Sequence, residues 1–408
     1  MQLNSNIHLP GFEAFTIQKS EEVDGIYYLH VDREVKNHRC PACGAYTSNV
    51  HDYRVQKIQH TRIFGRQVYV FYRKRRYVCR SGCGKRFYED NPLVERYQRQ
   101  SMEMKQAVAM ELIHGKSFRD VAHRFDTSPT TVIRRFDYIT APLLDETQTL
   151  PDVIAIDEYK GDAGGETYQT IIADPVNRKP LEILADRRKE TVKNYLRKHG
   201  ERVKMVVMDM SHSFKAAVDQ ALGHPIIIAD RFHFCRYIYW ALERVRRQEQ
   251  NAFDDYDRKK CKRMKHVFYK QPETLTDKQA WYLERYLQKS AYLKRAYQLK
   301  EAYRLWFETA KENGSKHLGA TKAHLYEFYD LVRESGVTEF EQAIGTLQNW
   351  QKEIMNTFGF ELHNGYIEGI NNQTKVLKRN AFGFKRFDRF RAKVLLHHQY
   401  KKLDIRVA

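Results

Sequence analysis

The chain has 408 residues, and its 70 lysines and arginines against 51 aspartates and glutamates give a formal net charge of +19. A hydrophobic content of 42% and a charged content of 30% are typical of a globular protein and exclude an intrinsically disordered one. No apolar run approaches the ~20 residues that span a bilayer, and the first residues lack the features of a secretory signal, so we expect a cytosolic protein. The charge then favours nucleic acid as the partner, with a merely soluble basic surface as the alternative.

The positive charge is concentrated in three parts of the chain. Residues 52–86 contain eleven basic side chains and one acidic one, residues 231–316 contain 21 and 11, and residues 360–408 contain eleven and four. We interpret this distribution as a path for DNA across several domains, because phosphate contacts need lysine and arginine. A basic run follows a short stretch that we predict to be a strand, and we expect its side chains to bind DNA: Arg73, Lys74, Arg75 and Arg76.

Two pairs of cysteines predict a zinc site near the N-terminus. Cys40 and Cys43 form a Cys-x-x-Cys pair and Cys79 and Cys83 form a Cys-x-x-x-Cys pair, each followed by glycine, with 35 residues between the pairs. Four thiolates satisfy tetrahedral Zn²⁺, and a glycine after each pair permits the tight turn that directs backbone N–H groups at sulfur. The alternatives are two disulfides, which a reducing cytosol disfavours, or unrelated cysteines.

The next segment predicts a helix-turn-helix. Ser101–His114 has the pattern of a helix, Ser117 opens a second helix with a capping box, and Ser128-Pro129 begins a third that runs to Tyr138. Two short helices joined by a tight turn are typical of a DNA-reading module, although any small three-helix bundle would share the pattern. The side chains expected to face DNA are Thr130, Thr131, Arg134 and Arg135.

Strands and helices alternate after Pro151. The buried strand Val153–Ile156 leads into Asp157, and a later strand, Val203–Met208, leads into Asp209. We predict the order β-β-β-α-β-α-β, which is that of an RNase H-like domain, where acidic residues at the ends of adjacent central strands share a metal site. Asp230 follows the last strand, and with His233 it is an auxiliary candidate: a further ligand, a group beside the metals or a strand-end cap.

A two-metal phosphoryl-transfer site needs a third carboxylate, and Glu368 is the best candidate. It opens a strongly helical segment in which apolar residues recur at helical spacing, so one stripe is buried and Glu368 lies on the neighbouring stripe. Three polar residues share that stripe and are suited to hold the phosphates of a DNA strand: Asn372, Lys375 and Arg379.

The 158 residues between Asp209 and Glu368 are too many for a bare RNase H-like core. This stretch is rich in lysine, tyrosine, leucine and glutamate and poor in proline and glycine, which predicts an all-helical insertion. A few of its aromatic rings could stack on an unpaired base, but most are expected to pack the helices together: Trp281, Tyr282, Tyr286, Tyr292, Tyr297, Tyr303 and Trp306.

The order of these motifs resembles the ISL3 family of bacterial insertion-sequence transposases over nearly the whole chain. The motifs are the two cysteine pairs, the helix-turn-helix, Ile156-Asp157-Glu158, Met208-Asp209-Met210, Asp230–His233 and Asn364–Asn371. The resemblance implies a DDE transposase that uses Mg²⁺, or Mn²⁺, at Asp157, Asp209 and Glu368. It further implies an N-terminal structural zinc domain, action on the element's terminal inverted repeats, a dimer or larger assembly, and association with the bacterial nucleoid.

We therefore expect a multidomain α/β protein with five segments. A zinc-binding DNA-binding module occupies residues 1–95, a helix-turn-helix 96–145, the first part of an RNase H-like core 146–240, the helical insertion 241–350, and the catalytic helix with a basic C-terminal segment 351–408. The expected function is metal-dependent DNA cleavage and strand transfer. The alternatives are a non-catalytic DNA-binding regulator derived from a transposase and a structure-specific nuclease of RNase H-like fold.

Overall fold

The computed structural model describes residues 11–80, 83–145, 149–360, 362 and 364–400. The chain divides into two compact units. The first contains residues up to 145 together with 379–382 and the segment from 392 onward, and the second contains residues 146–378 and 383–391.

The first unit begins with β-structure. Its strands are β1 (Thr16–Val23), β2 (Ile26–Asp32), β3 (His38–Arg39), β4 (Tyr46–Thr47), β5 (Val50–Ile63), β6 (Arg66–Val78) and β7 (Arg86–Tyr88). The main sheet has the order β1-β2-β6-β5 with β7 beside β6, and β3 pairs with β4 separately. The long β5–β6 hairpin turns at Phe64 and Gly65, whose φ angles of 49° and 78° are both positive, as a two-residue hairpin turn requires.

Every second side chain in the first part of β6 is buried, and these buried side chains form the core of this sheet. Val68, Val70 and Tyr72 are fully buried and pack with Leu29 and Ile58 from neighbouring strands. Successive side chains of a strand point to opposite faces, so the residues between them belong to the other face. That second face is where the basic run begins.

Three helices complete the unit: α1 (Met102–Ile113), α2 (Phe118–Arg124) and α3 (Pro129–Asp145). Ser117 caps α2 as predicted, because its Oγ atom accepts from the backbone N–H of Asp120. The Asp120 carboxylate accepts from the Ser117 hydroxyl, whereas in a full capping box it would accept from the Ser117 backbone N–H. Val108, Val121 and Phe136 bring the three helices into one core. The third helix is longer than the sequence predicted, since it continues through Pro142 instead of ending at Tyr138.

The second unit is built on a five-stranded sheet. Its first elements are β8 (Val153–Ala163), β9 (Glu166–Asp174), β10 (Lys179–Leu184), α4 (Lys189–His199), β11 (Met205–Met208), α5 (His212–Leu222) and β12 (Ile226–Ala229). The strand order is β10-β9-β8-β11-β12, with β8, β11 and β12 parallel and the β8-β9-β10 pairs antiparallel. In this register Met208 lies beside both Ile156 and Ala229. Residues that follow these three therefore meet at one end of the sheet.

Helices follow β12. They are α6 (Arg231–Glu249), α7 (Asp255–Arg263), α8 (Asp277–Lys289), α9 (Ala291–Asn313), α10 (Leu318–Ser335), α11 (Thr338–Asn349), α12 (Gln351–Phe360), α13 (Gly365–Asn380) and α14 (Phe387–Tyr400). In the described part of residues 231–360 there is no strand, only these helices and short 3₁₀ turns. Helices α6 to α12 share one hydrophobic core with the sheet, in which Phe234 and Ile238 join Met208.

Most of the aromatic side chains in this helical stretch pack inside it, as predicted. The buried ones are Tyr282, Tyr286, Tyr297, Tyr303 and Trp306. Of the other two predicted aromatic residues, Tyr292 is half-buried and Trp281 has 57% of its surface exposed. Among the described residues, none of the helices combines the length and apolarity needed to cross a membrane.

Candidate active site

Three aspartates lie together at one end of the sheet in the second unit. Asp157, Asp209 and Asp230 each follow one of the three residues that the parallel strands hold in register. Burial raises the pKa of Asp157 to about 7; the backbone N–H of Glu158 opposes this rise, and the charges of Asp209 and Asp230 add to it. Burial and the charges of Glu158 and Asp230 likewise raise the pKa of Asp209 to about 6. The fold thus concentrates negative charge where solvent screens it poorly.

This cluster has the chemistry of a divalent-cation site. Asp209 Oδ1 is buried and has no hydrogen-bond partner in the described part of the chain, although a buried polar atom ordinarily has one. A cation between Asp157 and Asp209 would satisfy that oxygen and offset the repulsion between the two carboxylates. Carboxylate oxygens are the ligands that Mg²⁺ prefers, so these residues fit that ion.

Helix α13 meets the cluster through Asn371. The side-chain amide of buried Asn371 donates to Asp157 Oδ2 at 2.9 Å. Glu368 lies three residues earlier on this helix and is exposed. In the described part of the chain the three predicted carboxylates do not form a compact cluster, since only four cysteines do. The predicted buried stripe is correct: Ile367, Ile370, Thr374 and Leu377 are all buried.

Sequence reasoning did not assign a contact to Asn371 or a role to Glu158. Asn371 lies at the boundary between the buried stripe and the stripe of Glu368, and its spacing of three from Glu368 was the available signal. Glu158 follows Asp157 directly, and Arg187 Nη1 donates to both of its carboxylate oxygens at 3.0 Å. Arg187 therefore fixes a second negative charge near Asp209.

Asp230 and His233 lie at the start of α6. Asp230 is buried, occupies the N-cap position, and has its Oδ2 atom 3.8 Å from His233 Nε2. Burial, aided by the charge of Arg236, lowers the pKa of His233 to about 4, so the imidazole is neutral at physiological pH. Asp230 is close enough to raise the pKa values of both Asp157 and Asp209.

The four predicted zinc ligands form a second cluster, in the first unit. The Sγ atoms of Cys40, Cys43, Cys79 and Cys83 all lie within 4.8 Å of one another, and none of the four is in a disulfide. A backbone hydrogen bond closes each pair: Gly44 N–H donates to the Cys40 carbonyl, four residues before it, and Gly84 N–H donates to the Cys79 carbonyl, five residues before it. The backbone N–H of Cys43 lowers the pKa of the Cys40 thiol, which favours the thiolate that binds zinc.

Comparison with models of known protein families gives three matches. A model described as "Transposase", of the ISL3 type, matches residues 154–394, which is more than half of the chain. The chain belongs to the ISL3 family of transposases. Models described as "zinc-finger of transposase IS204/IS1001/IS1096/IS1165" and "Helix-turn-helix domain of transposase family ISL3" match residues 36–83 and 89–140. The four cysteines are therefore those of a structural zinc ribbon.

Two curated relatives are similar to this transposase. A "Transposase for insertion sequence element IS1001" from Bordetella parapertussis is 25% identical over 399 residues, which are 95% of this chain and 96% of the relative. An "ATP-dependent protease" from Lactococcus lactis subsp. lactis is 36% identical over 59 residues, which are 14% of this chain and 19% of the relative. The first similarity extends over nearly the whole chain, and the second covers only a short stretch.

The helix-turn-helix identifies this transposase as a DNA-binding protein, and α3 presents several of the predicted contact residues. Thr130 and Arg134 are exposed. Thr131 is half-buried, with its Oγ1 atom 2.9 Å from Ser128 Oγ. Arg135 is half-buried and donates to the side chain of Gln100. The exposed residues are thus better placed to reach a DNA groove than Arg135.

The basic run on β6 divides into two groups. Arg73 is exposed, with its guanidinium carbon 3.7 Å from the centre of the Tyr53 ring, while Lys74 is half-buried and half-buried Arg76 pairs with Asp52. Arg75 differs from the other three residues of the run because it is buried. Only 4% of its surface is exposed.

Arg75 connects the end of β2 to the segment that follows β7. Its Nη2 atom lies 2.7 Å from Asp32 Oδ1 and donates to the Arg33 carbonyl at 2.5 Å, and its Nη1 atom lies 3.7 Å from Glu89 Oε2. Glu89 in turn accepts from the Tyr72 hydroxyl at 2.6 Å and from the backbone N–H of Arg75 at 2.7 Å. A guanidinium so enclosed is a structural group.

The remaining predicted contacts lie on α13. Asn372, Lys375 and Arg379 are all exposed, on the stripe next to the buried one, as predicted from their spacing. Lys378, between them, donates to Asp162 at 2.7 Å and so ties the helix to β8.

Proposed function

We propose that this ISL3 transposase cleaves DNA at the ends of its insertion sequence and transfers the cleaved strands, with Asp157, Asp209 and Glu368 as its catalytic triad. The observation that carries the proposal is the pair Asp157 and Asp209, which adjacent parallel strands place together in buried surroundings with raised pKa values. Glu368 is the third carboxylate because its helix bonds Asp157 through Asn371. The ligand role of Glu368 needs its exposed side chain to turn toward the aspartates.

The element order of the second unit supports an RNase H-like core. Three antiparallel strands precede two parallel strands, each of the last two following a helix, and α13 contacts the central strand β8. In this proposal residues 146–240 and 351–408 form the core and residues 241–350 form an all-helical insertion.

The site residues divide the chemistry between holding metal and positioning ligands. Mg²⁺, or Mn²⁺ in its place, lowers the pKa of an attacking water or 3′ hydroxyl and stabilises the departing oxygen when bound. Asp157 and Asp209 would hold the cation, and Asn371 fixes the orientation of Asp157 by donating to its Oδ2 atom. Asp230 is an auxiliary acidic group beside them, and neutral His233 adds no charge to the cluster.

The basic residues bind and orient DNA. Arg73, Lys74, Arg76, Thr130, Thr131, Arg134 and Arg135 bind the terminal inverted repeats from the zinc ribbon and helix-turn-helix. Asn372, Lys375 and Arg379 lie on the helix of Glu368 and hold the phosphates of the strand to be cut. Two ends must be brought together for transposition, so the active form is a dimer or larger.

The substitution Asp157→Asn tests the assignment. It keeps the shape and the acceptor oxygen but removes the charge that holds the cation, so Mg²⁺-dependent cleavage of end DNA should fall at least 10³-fold, on the order of the loss expected when a central catalytic group is removed. Binding of the same DNA in EDTA should stay within about twofold, because the zinc ribbon and helix-turn-helix are unchanged.

Asp330→Asn is the matched control, since Asp330 is an exposed aspartate on α10 that pairs only with Arg333. It should leave cleavage and binding as in the wild type. Cleavage at the wild-type rate by the Asp157→Asn protein would overturn the triad.

A further inference from the structure

Helix α6 carries three side chains in a row along one face. Phe232, Arg236 and Trp240 are spaced by four residues, which places them one above the other on the helix surface. The guanidinium carbon of Arg236 lies 4.7 Å from the centre of the Phe232 ring and 5.3 Å from that of Trp240. The two rings are 62% and 49% exposed. We call these three residues the α6 ladder.

The ladder begins beside the aspartate site. Asp230 is the N-cap residue of the same helix, only two positions before Phe232. Arg236 is close enough to the site for its charge to act on both Asp209 and His233. With a rise of about 1.5 Å per residue, the ladder extends roughly 12 Å from Phe232 to Trp240. The ladder is therefore an exposed face that begins next to the carboxylates.

The chemistry of the ladder suits unpaired nucleotides. In the described part of the chain Arg236 makes no ion pair, so its positive charge remains available to a phosphate. Exposed aromatic rings offer faces on which bases stack, and stacking needs bases that are not enclosed in a duplex. A guanidinium between two rings adds cation–π attraction and keeps the rings apart along the helix.

A second exposed ring in the same unit, that of Trp281, shows why the charge of Arg236 matters. Trp281 on α8 also has a guanidinium nearby, with the Arg285 carbon 5.5 Å from its ring. Arg285, however, donates to both carboxylate oxygens of buried Asp257, at 2.9 and 2.8 Å. Its charge is already neutralised, so Trp281 and Arg285 resemble the ladder in composition but lack its attraction for phosphate.

We propose that the α6 ladder binds unpaired nucleotides of a DNA strand next to the aspartate site, by stacking bases on Phe232 and Trp240 and binding phosphate through Arg236. The location of the ladder beside reacting DNA rests on the proposed function. The binding itself does not, because it needs neither metal nor cleavage.

The test uses the full chain in EDTA, so that no strand is cut. The probes are two fluorescent hairpin duplexes of about 20 base pairs, one blunt and one with a 3′ oligo(dT) tail of about eight nucleotides, a length within the range that single-strand sites accept. Anisotropy titrations at one salt concentration measure both affinities. Trp240→Leu and Phe232→Leu should bind the tailed probe about tenfold more weakly than the wild type and the blunt probe equally well.

Two further variants separate stacking from damage to the fold. Trp240→Phe keeps an aromatic face and should retain most of the preference for the tailed probe, whereas Trp240→Leu keeps apolar bulk without that face. Trp281→Leu, the matched control, should leave both affinities unchanged. A 2-aminopurine in the tail should be quenched by the wild type and by Trp240→Phe, and much less by Trp240→Leu.

Three results would overturn the proposal. These are equal losses on both probes, no loss on either, or a change in self-association in place of a change in DNA affinity, which would make the ladder a contact between copies of the chain. The result is independent of the triad, because a protein whose Asp157→Asn variant still cleaves can nonetheless show this difference between probes.

Discussion

The cysteine cluster and the aspartate cluster differ in how completely the fold assembles them. Four sulfurs lie within 4.8 Å of one another, and they come from two short stretches of sequence, each closed by a backbone hydrogen bond. The aspartates follow adjacent strands. The third predicted carboxylate, Glu368, lies on a helix that comes much later in the sequence, and its side chain is exposed. A structural metal site is closed by its own protein ligands, whereas a catalytic site must leave room for substrate. The difference between the clusters follows that distinction.

Replacing one zinc ligand should have the largest effect. Cys79→Ser removes a buried thiolate, and because structural zinc supplies apparent folding free energy on the order of 10 kcal/mol, we expect the ribbon to lose its structure. Metal analysis should find zinc in the wild type and little in the variant, and amide exchange across β3, β4 and β7 should become fast. Exchange in β8, β11 and β12 should not change.

Cys235→Ala is the control for that experiment, since Cys235 lies on α6 in the second unit and accepts a hydrogen bond from Tyr303. It should keep its zinc. Tight zinc binding by Cys79→Ser would show that the four cysteines are not a unit and would remove the contrast between the two clusters.

Two arginines of the basic run on β6 also differ from each other, because Arg73 is exposed and Arg75 is buried. Arg75→Met leaves Glu89 buried without its cation, and breaking a buried pair costs about 3 kcal/mol, so urea unfolding should show a loss of that size. Arg73→Met should change stability little, because Arg73 is exposed, but should weaken DNA binding and reduce its salt dependence. If Arg75→Met weakened DNA binding without a loss of stability, our assignment of Arg75 as structural would be wrong.

Some of these residues and contacts could be predicted from the sequence, and others could not. The cysteines were predictable because spacing and chemistry are both local. Asp157 and Asp209 were predictable because apolar runs identify parallel strands, and these end together. Arg75 was not, because acids from β2 and from the segment after β7 cover that face of β6, and no local pattern records such a contact. The bond from Asn371 to Asp157 joins residues 214 positions apart and was equally hidden.

Removing one like charge from the aspartate cluster should stabilise the metal-free protein. In Asp209→Asn the side chain can still accept from the backbone N–H of Ser211, but the repulsion from Glu158 and Asp230 is gone. We expect the free energy of unfolding in EDTA at pH 7.5 to rise by about 2 kcal/mol, and Mg²⁺ to stabilise the variant less than the wild type. Asp330→Asn should change neither quantity. A destabilised Asp209→Asn protein would show that the cluster is balanced without a cation.

The smallest expected effect on stability concerns Lys393, a buried lysine whose charge no metal ion could offset. Its ammonium donates to the Lys116 carbonyl at 3.1 Å and lies 5.7 Å and 5.8 Å from the ring centres of Phe118 and Phe136. Burial lowers the pKa of Lys393 to about 7, against roughly 10.4 in an unfolded chain. Between those values the unfolded chain holds a proton that the folded chain does not, so this group makes stability rise with pH and lowers it most below pH 7.

Lys393→Met removes that dependence. We expect the variant to gain stability over the wild type at pH 6.5, by about 1 kcal/mol more than at pH 9, in urea unfolding at the two pH values. The effect should be smaller than the full pKa shift implies, because a charged lysine can draw water toward itself. Lys116→Met, which replaces an exposed lysine and keeps the carbonyl, should show no such difference. An equal gain at both pH values would mean that Lys393 is neutral throughout, and the aspartates alone would then carry the uncompensated charge of the fold.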